Sequence, residues 1–292
     1  MFPACDVSKI PRKASKDILA QSRRRPPSAC DELPWIVDVQ RYPIQSTASH
    51  ATHWRAQARR RYRETGICLF DHFLLAEGVD AVRAGIEPLV DEAYVSTTHS
   101  SVYLEPGDSS FPTEHPRREE RVTRVGTLAE DQLLHSLLRT LHASAAFRRF
   151  IGDIVGVPRL YGYADGLTSV NVLVFKEGDQ LGWHFDESDY AVTLLLSAAS
   201  AGGTFEYVPN IRAPGNESYP AIQAVLAGAG AIRTAAPLCA GSLMIFRGRH
   251  SLHRVTAVRG GRPRLVAVLS YDSRPGMHLS EHDRRLFFGR IA

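Results

Sequence analysis

The sequence predicts an α+β fold, with supporting helices in its first half and an antiparallel double sheet, a sandwich or barrel, in its second. Three observations lead there. Before residue 160, apolar residues recur at helical spacing, as in Trp54, Ala58 and Tyr62 or Val79, Val82 and Ile86. After residue 160 the chain breaks into short β-type runs between turn residues. Apolar residues make up 44% of the 292, enough for a sizeable core, yet no apolar run is long enough to span a membrane.

Residues 1–45 carry Lys9, Lys13, Lys16 and Arg23–Arg25 with few periodic apolar positions, and are expected to form a basic, partly disordered arm. A short helix is expected near Lys16–Ser22, and an extended segment around Trp35-Ile36-Val37. Residues 46–292 are expected to form a single domain. Helical support covers 46–159, the sheet core 160–275 and a tail 276–292. A first helix is predicted over 46–64, with Thr47 or Ser49 as its cap and Thr65-Gly66 as its end. A strand at 67–70 follows, then a helix over 77–95. Residues 97–124 are polar and irregular, and a loop of that length suggests a lid, with Glu114 and His115 as candidates on it. A third helix is predicted over 129–151, broken by Gly156-Val157-Pro158. The β-type runs are 160–163, 168–175, 181–186, 191–197, 203–208, 231–234, 242–247, 252–258 and 264–271.

The net charge of +4 is unevenly placed: residues 1–64 hold 13 Lys and Arg against 6 Asp and Glu. No aromatic interleaving or nucleic-acid motif accompanies the arginines, which argues against a nucleic-acid partner and for a solvated face. Cys5, Cys30, Cys68 and Cys239 are scattered. That excludes a cysteine zinc motif and fits a reducing cytoplasm, as does an N-terminus without an apolar signal core. A homo-oligomer is compatible with the sequence.

The chemistry-bearing stretch is Asn171 to Asp186. It begins as an apolar strand, turns at Gly178 and ends in His184-Phe185-Asp186. Residues i and i+2 of an extended chain share a face, so His184 and Asp186 can hold one metal. His-x-Asp alone is a weak signal. A strand, a Gly-Arg turn and a second strand at 242–255 supply the third ligand: His253, with His250 as the competitor nearer the turn. Two His and one carboxylate on one face of an ion leave three positions open, the arrangement of non-heme Fe(II) oxygenases. Arg264 opens an apolar strand, where a buried guanidinium needs an anionic partner; Arg262 shares its parity beyond Pro263.

Taken together, His184-x-Asp186, His253 and an Arg eleven residues later resemble the Fe(II)/2-oxoglutarate-dependent oxygenases. The segments Gly182–Glu187, Ala191–Leu196, Gly202–Arg212, His253–Thr256 and Leu269–Asp272 resemble the branch of hydroxylases and radical halogenases acting on free amino acids such as lysine. The resemblance spans roughly 62–275. It implies a double-stranded β-helix, a form of jelly roll, as the core. It implies Fe(II), 2-oxoglutarate and O2 as cofactor and co-substrates, with release of succinate and CO2. Arg264, helped by Arg262, would pair with the distal carboxylate of 2-oxoglutarate, and Asn171 would orient it. For a free amino acid, Arg121 is the candidate for the substrate carboxylate, and Glu187 and Asp189 are candidates for its ammonium group. In the halogenases of this branch a Gly stands two residues after the first His and opens a site for chloride. Here Asp186 stands there, which implies hydroxylation or desaturation rather than halogenation. Two alternatives stand beside this: the same chemistry on a protein side chain or nucleic acid, and a non-catalytic metal-binding jelly roll.

Overall fold

The computed structural model describes residues 33–234 and 238–292. The helix expected near Lys16–Ser22 lies outside them. Leu33–Ile36 forms one helical turn (α1), not the expected extended segment. Leu33, Ile36, Val37, Tyr42 and Ile44 are all buried. The arm expected to run to residue 45 is therefore packed from Leu33 onward, because its apolar side chains dock into the helical core.

The first long helix, α2 (Ser49–Thr65), ends at Gly66, whose left-handed φ of 73° lets its N–H reach Tyr62 O. Ala48 precedes it, so neither expected side chain caps it. Its inner stripe is Trp54, Ala58 and Tyr62 as predicted, joined by Arg55, which is buried against Asp153 at 2.8 Å. Then follow β1 (Ile67–Phe70) and α3 (Ala76–Ile86). The helix expected to reach residue 95 stops here. Pro88 lacks an N–H, and the chain tightens into a 3₁₀ turn over Glu87–Glu92.

The irregular region holds a hairpin, β2 (Tyr94–Ser100) and β3 (Arg121–Leu128), around a loop. The third predicted helix is two, α4 (Leu137–Ala143) and α5 (Ala145–Val155). Ser144 ends one and caps the other by accepting from Phe147 N–H at 3.3 Å.

The sheet core continues with β4 (Val170–Phe175), β5 (Leu181–His184), β6 (Ala191–Ser197), β7 (Ala201–Gly202) and β8 (Phe205–Val208). After α6 (Tyr219–Leu226) come β9 (Arg233–Thr234), β10 (Leu243–Phe246), β11 (Leu252–Val255), β12 (Val258–Arg259) and β13 (Arg264–Leu269). The run at 160–163 makes only a bridge, Tyr161 to Asp272. A last helix, α7 (Glu281–Phe288), is capped by Ser280.

All strand pairs are antiparallel. The large sheet has the order β1-β10-β6-β13-β4-β3-β2 and the small one β5-β11-β8-β9, giving the two facing sheets of a jelly roll. Strand alternation divides the core. Val170, Val172 and Val174 of β4, with Leu265, Ala267 and Leu269 of β13, face the helices. Leu173, Phe175 and Val266 face the other way and meet Phe205, Tyr207 and Val255 of the small sheet. The segment expected to be helical support thus also supplies β1, β2 and β3 to the large sheet.

Candidate metal centre

His184 and His253 are brought face to face by the small sheet, where they are direct partners in the β5–β11 ladder. The register shifts beside them, so the three steps from Leu181 to His184 oppose the two from Val255 to His253. This bulge falls at Gly182-Trp183. It lets Leu181 and His184 both face inward, while Trp183 turns outward beneath Arg254, 4.7 Å from its ring. The two imidazole centroids lie 4.2 Å apart, and His253 is further packed by Phe246 and Phe205. β5 ends at His184, so Asp186 reaches the site from just beyond the strand.

The ligand atoms of His184, Asp186 and His253 all lie within 4.8 Å of one another. Asp186 Oδ1 is 3.6 Å from His184 Nε2 and 3.4 Å from His253 Nε2. Each ring is fixed from behind. His184 Nδ1–H donates to Gly182 O at 2.8 Å and His253 Nδ1–H donates to Ser251 O at 3.0 Å. That leaves both Nε2 lone pairs aimed at the shared point, the orientation metal-binding imidazoles require. Burial acts to raise the Asp186 pKa, but the two imidazoles beside its carboxyl outweigh it and hold it below the usual carboxylate range, so Oδ1 faces the shared point as an ionised oxygen. Two neutral nitrogens and one carboxylate oxygen on one side fit Fe(II). His250 is not among the convergent groups; it sits on the turn before β11 with its Nε2 4.0 Å from Asp189.

Arg264 faces the same interior from the large sheet. It is 7% exposed, opposite Phe175 in the ladder, with its guanidinium 5.3 Å from that ring. Gly203 makes room for it: a Cβ there would lie 2.9 Å from Arg264 Cδ. Burial pushes its pKa down to about 10, so it is charged at neutral pH. No carboxylate pairs with it among the described residues. A buried guanidinium in that state is unfavourable by several kcal/mol on the order-of-magnitude scale for buried ions. The distal carboxylate of 2-oxoglutarate is the chemistry it fits. Asn171, also buried, lies on the inward face of β4 opposite Val268, and its amide donates to Thr168 O at 3.3 Å.

The other predicted residues are not gathered at the triad. Arg262 is exposed on the turn before β13, bonded to Ala199 O at 3.4 Å. Pro263 and the turn end the strand alternation, so shared parity does not bring it inward. The Arg121 guanidinium is held by Glu119 and by Leu226 O at the end of α6. It borders a cavity of about 280 Å³ that Gly182, Trp183 and Arg254 also line. Asp189 is exposed and paired with Arg249 at 2.7 Å, and Glu187, also exposed, gives its backbone carbonyl to the same arginine. In the loop between β2 and β3, His115 is stacked on Phe111 at 4.2 Å, while Glu114 is exposed. Sequence reasoning missed Gly203, whose only local signal is its place in a Gly-Gly pair, and the carbonyls of Gly182 and Ser251, which carry no side-chain signal.

The family model described as HalD: Halogenase D matches residues 50–285. The chain belongs to this family. Its fold is shared with solved structures at low identity. The non-heme alpha-ketoglutarate-dependent carbocyclase SnoK from nogalamycin biosynthesis has a TM-score of 0.53 and 19% identity over 82% of this chain and 92% of that one. The epimerase SnoN, in complex with Fe3+, alpha-ketoglutarate and nogalamycin RO, has a TM-score of 0.51 and 17% identity over 75% and 83%. AviO1 from Streptomyces viridochromogenes Tue57 has 0.52 and 16% over 77% and 98%. No curated protein matches the sequence. The Halogenase D member described here thus shares the fold of solved alpha-ketoglutarate-dependent proteins and carries a triad that fits Fe(II). No helix among the described residues is long and apolar enough to cross a membrane.

Proposed function

We propose that this enzyme hydroxylates an unactivated C–H bond of a free amino acid or similar small polar molecule. The observation that carries the proposal is Asp186. Its Oδ1 stands within 3.6 Å of both imidazole Nε2 atoms and takes the place on the metal that a halide would need. His184, Asp186 and His253 hold Fe(II) on one face; Arg264 binds the distal carboxylate of 2-oxoglutarate, and Asn171 orients it from the same inner wall. Bound iron with 2-oxoglutarate supplies O2 activation coupled to decarboxylation of the co-substrate to succinate and CO2. Arg121 is assigned to the substrate carboxylate. That role requires its guanidinium to leave Glu119 on substrate binding. Glu187 and Asp189, just beyond the metal strand, are assigned to an ammonium group. Among the described residues Cys68 and Cys239 form no disulfide, which supports a cytoplasmic setting.

The test is anaerobic mixing with Fe(II), 2-oxoglutarate, chloride and a panel of free amino acids. A matching amino acid shifts the metal-to-ligand charge-transfer band. After oxygen is admitted, the product gains one oxygen atom. A chlorinated product would overturn hydroxylation, and loss of two hydrogens would indicate desaturation. A band that no amino acid moves would favour a macromolecular substrate instead.

A further inference from the structure

We propose that Gly248 is the residue that makes Asp186 a one-oxygen ligand. It rests on the metal assignment above. The two carboxylate oxygens of Asp186 have different surroundings. Oδ1 faces both imidazole nitrogens. Oδ2 lies directly against the bare Cα of Gly248, in the space a Cβ would occupy; the carboxyl carbon and Cβ of Asp186 crowd the same position. Gly248 is buried and starts the short 3₁₀ turn over Gly248–His250. Its carbonyl also receives the Asp186 N–H at 3.3 Å, so the backbone and the carboxylate are both held against it. The turn is itself anchored: Arg247 N–H donates to Gly66 O at 2.8 Å, and Arg212 Nε donates to Arg249 O at 2.6 Å.

The need for glycine here is steric. Gly248 does not adopt a left-handed φ, so another residue could take its backbone conformation. What excludes a side chain is the carboxylate. Seating Oδ2 against Gly248 leaves Oδ1 alone to face the metal, so the carboxylate occupies one coordination position and the remaining open ones stay free. Any side chain at 248 would turn the carboxylate or push the turn away from it. Gly248 is therefore a positioning residue acting through Asp186, and the two positions are coupled although 62 residues apart in sequence.

Anaerobic Fe(II) titration by calorimetry, with melting of the metal-free protein, tests this in a cycle of wild type, Gly248→Ala, Asp186→Ala and the double variant. Gly248→Ala should bind Fe(II) about 10- to 100-fold more weakly than wild type, the range for groups that orient a metal ligand. It should also melt lower without metal, and the double variant should recover that loss, since removing the carboxylate frees the space. Should Gly248→Ala fail to fold, the double variant must fold. Fe(II) affinity of Gly248→Ala within twofold of wild type would overturn the proposal. So would a melting loss that persists, or unfolding, in the double variant. A wild-type chain that binds no Fe(II) while the melting coupling persists would overturn the metal assignment, and this proposal with it, yet confirm the packing.

Discussion

The two ends of the inner space between the sheets solve opposite electrostatic problems. At the metal end the chain supplies both signs of charge capacity. Two imidazoles, each fixed from behind by a backbone carbonyl, face one oxygen of one carboxylate. At the far end a single guanidinium stands on an aromatic ring with no carboxylate among the described residues. One end gathers donors that are completed by a cation; the other presents a cation that is completed by an anion. The difference teaches why a buried charge that stability alone would disfavour is a better pointer to a ligand than a well-paired one.

Breaking the metal end should have the largest effect. His184→Ala, Asp186→Ala or His253→Ala should each abolish 2-oxoglutarate turnover, read as succinate release, because the convergent group among the described residues holds no fourth ligand to replace the one removed. Breaking the far end should separate function from stability. Arg264→Met should raise KM for 2-oxoglutarate by about 30- to 1,000-fold, as expected for truncating one partner of a buried charge pair. The metal-free variant should melt no lower than wild type, since an uncompensated buried charge has gone. A KM unchanged in Arg264→Met would end the assignment of that residue.

The acid response sharpens the contrast with the helical layer. His142 of α4 is buried against Tyr271 and bonded to Ser270 O at 2.9 Å, and burial holds its pKa down to about 4. Its folded pKa lies below its unfolded one. The stability it protects is therefore full above about pH 6.5 and is lost as pH falls toward 4, a total on the order of 3 kcal/mol. His142→Gln should flatten the pH dependence of urea stability in that window; an unchanged slope would assign the acid response elsewhere. The smallest effect is expected from Arg262→Ala, which should change KM for 2-oxoglutarate by less than about twofold, since surface substitutions away from a site cost little.

Much of the centre could be read in the one-dimensional pattern. His184-x-Asp186 ends an apolar run, Arg264 shares parity with Val266 and Val268, and the apolar runs after residue 160 became strands within two or three residues of their expected ends, except at 160–163. These depend on local periodicity and on the cost of burying a charge, both of which act along the chain. The polar strand β2, with its sequence Tyr-Val-Ser-Thr-Thr-His-Ser, was missed because an edge strand need bury only one face, and its hydrogen bonds to β3 compensate for weak β character. The breaks at Pro88 and Ser144 were local signals that the longer apolar stripes overrode.

What the sequence by itself determined is which residue types lie on which face: the inward triad members, the inward arginine and the valines that turn toward the helices. Only the tertiary structure decided which of two histidines is used, that Arg262 stays in solvent, that Arg121 is held by Glu119, and that a bulge at Gly182 keeps Leu181 and His184 on one side. The tertiary structure also decided that Gly248 meets Asp186. The physical reason is range. Face alternation follows from backbone geometry between neighbours, whereas the approach of two distant segments depends on the register of the sheets that carry them.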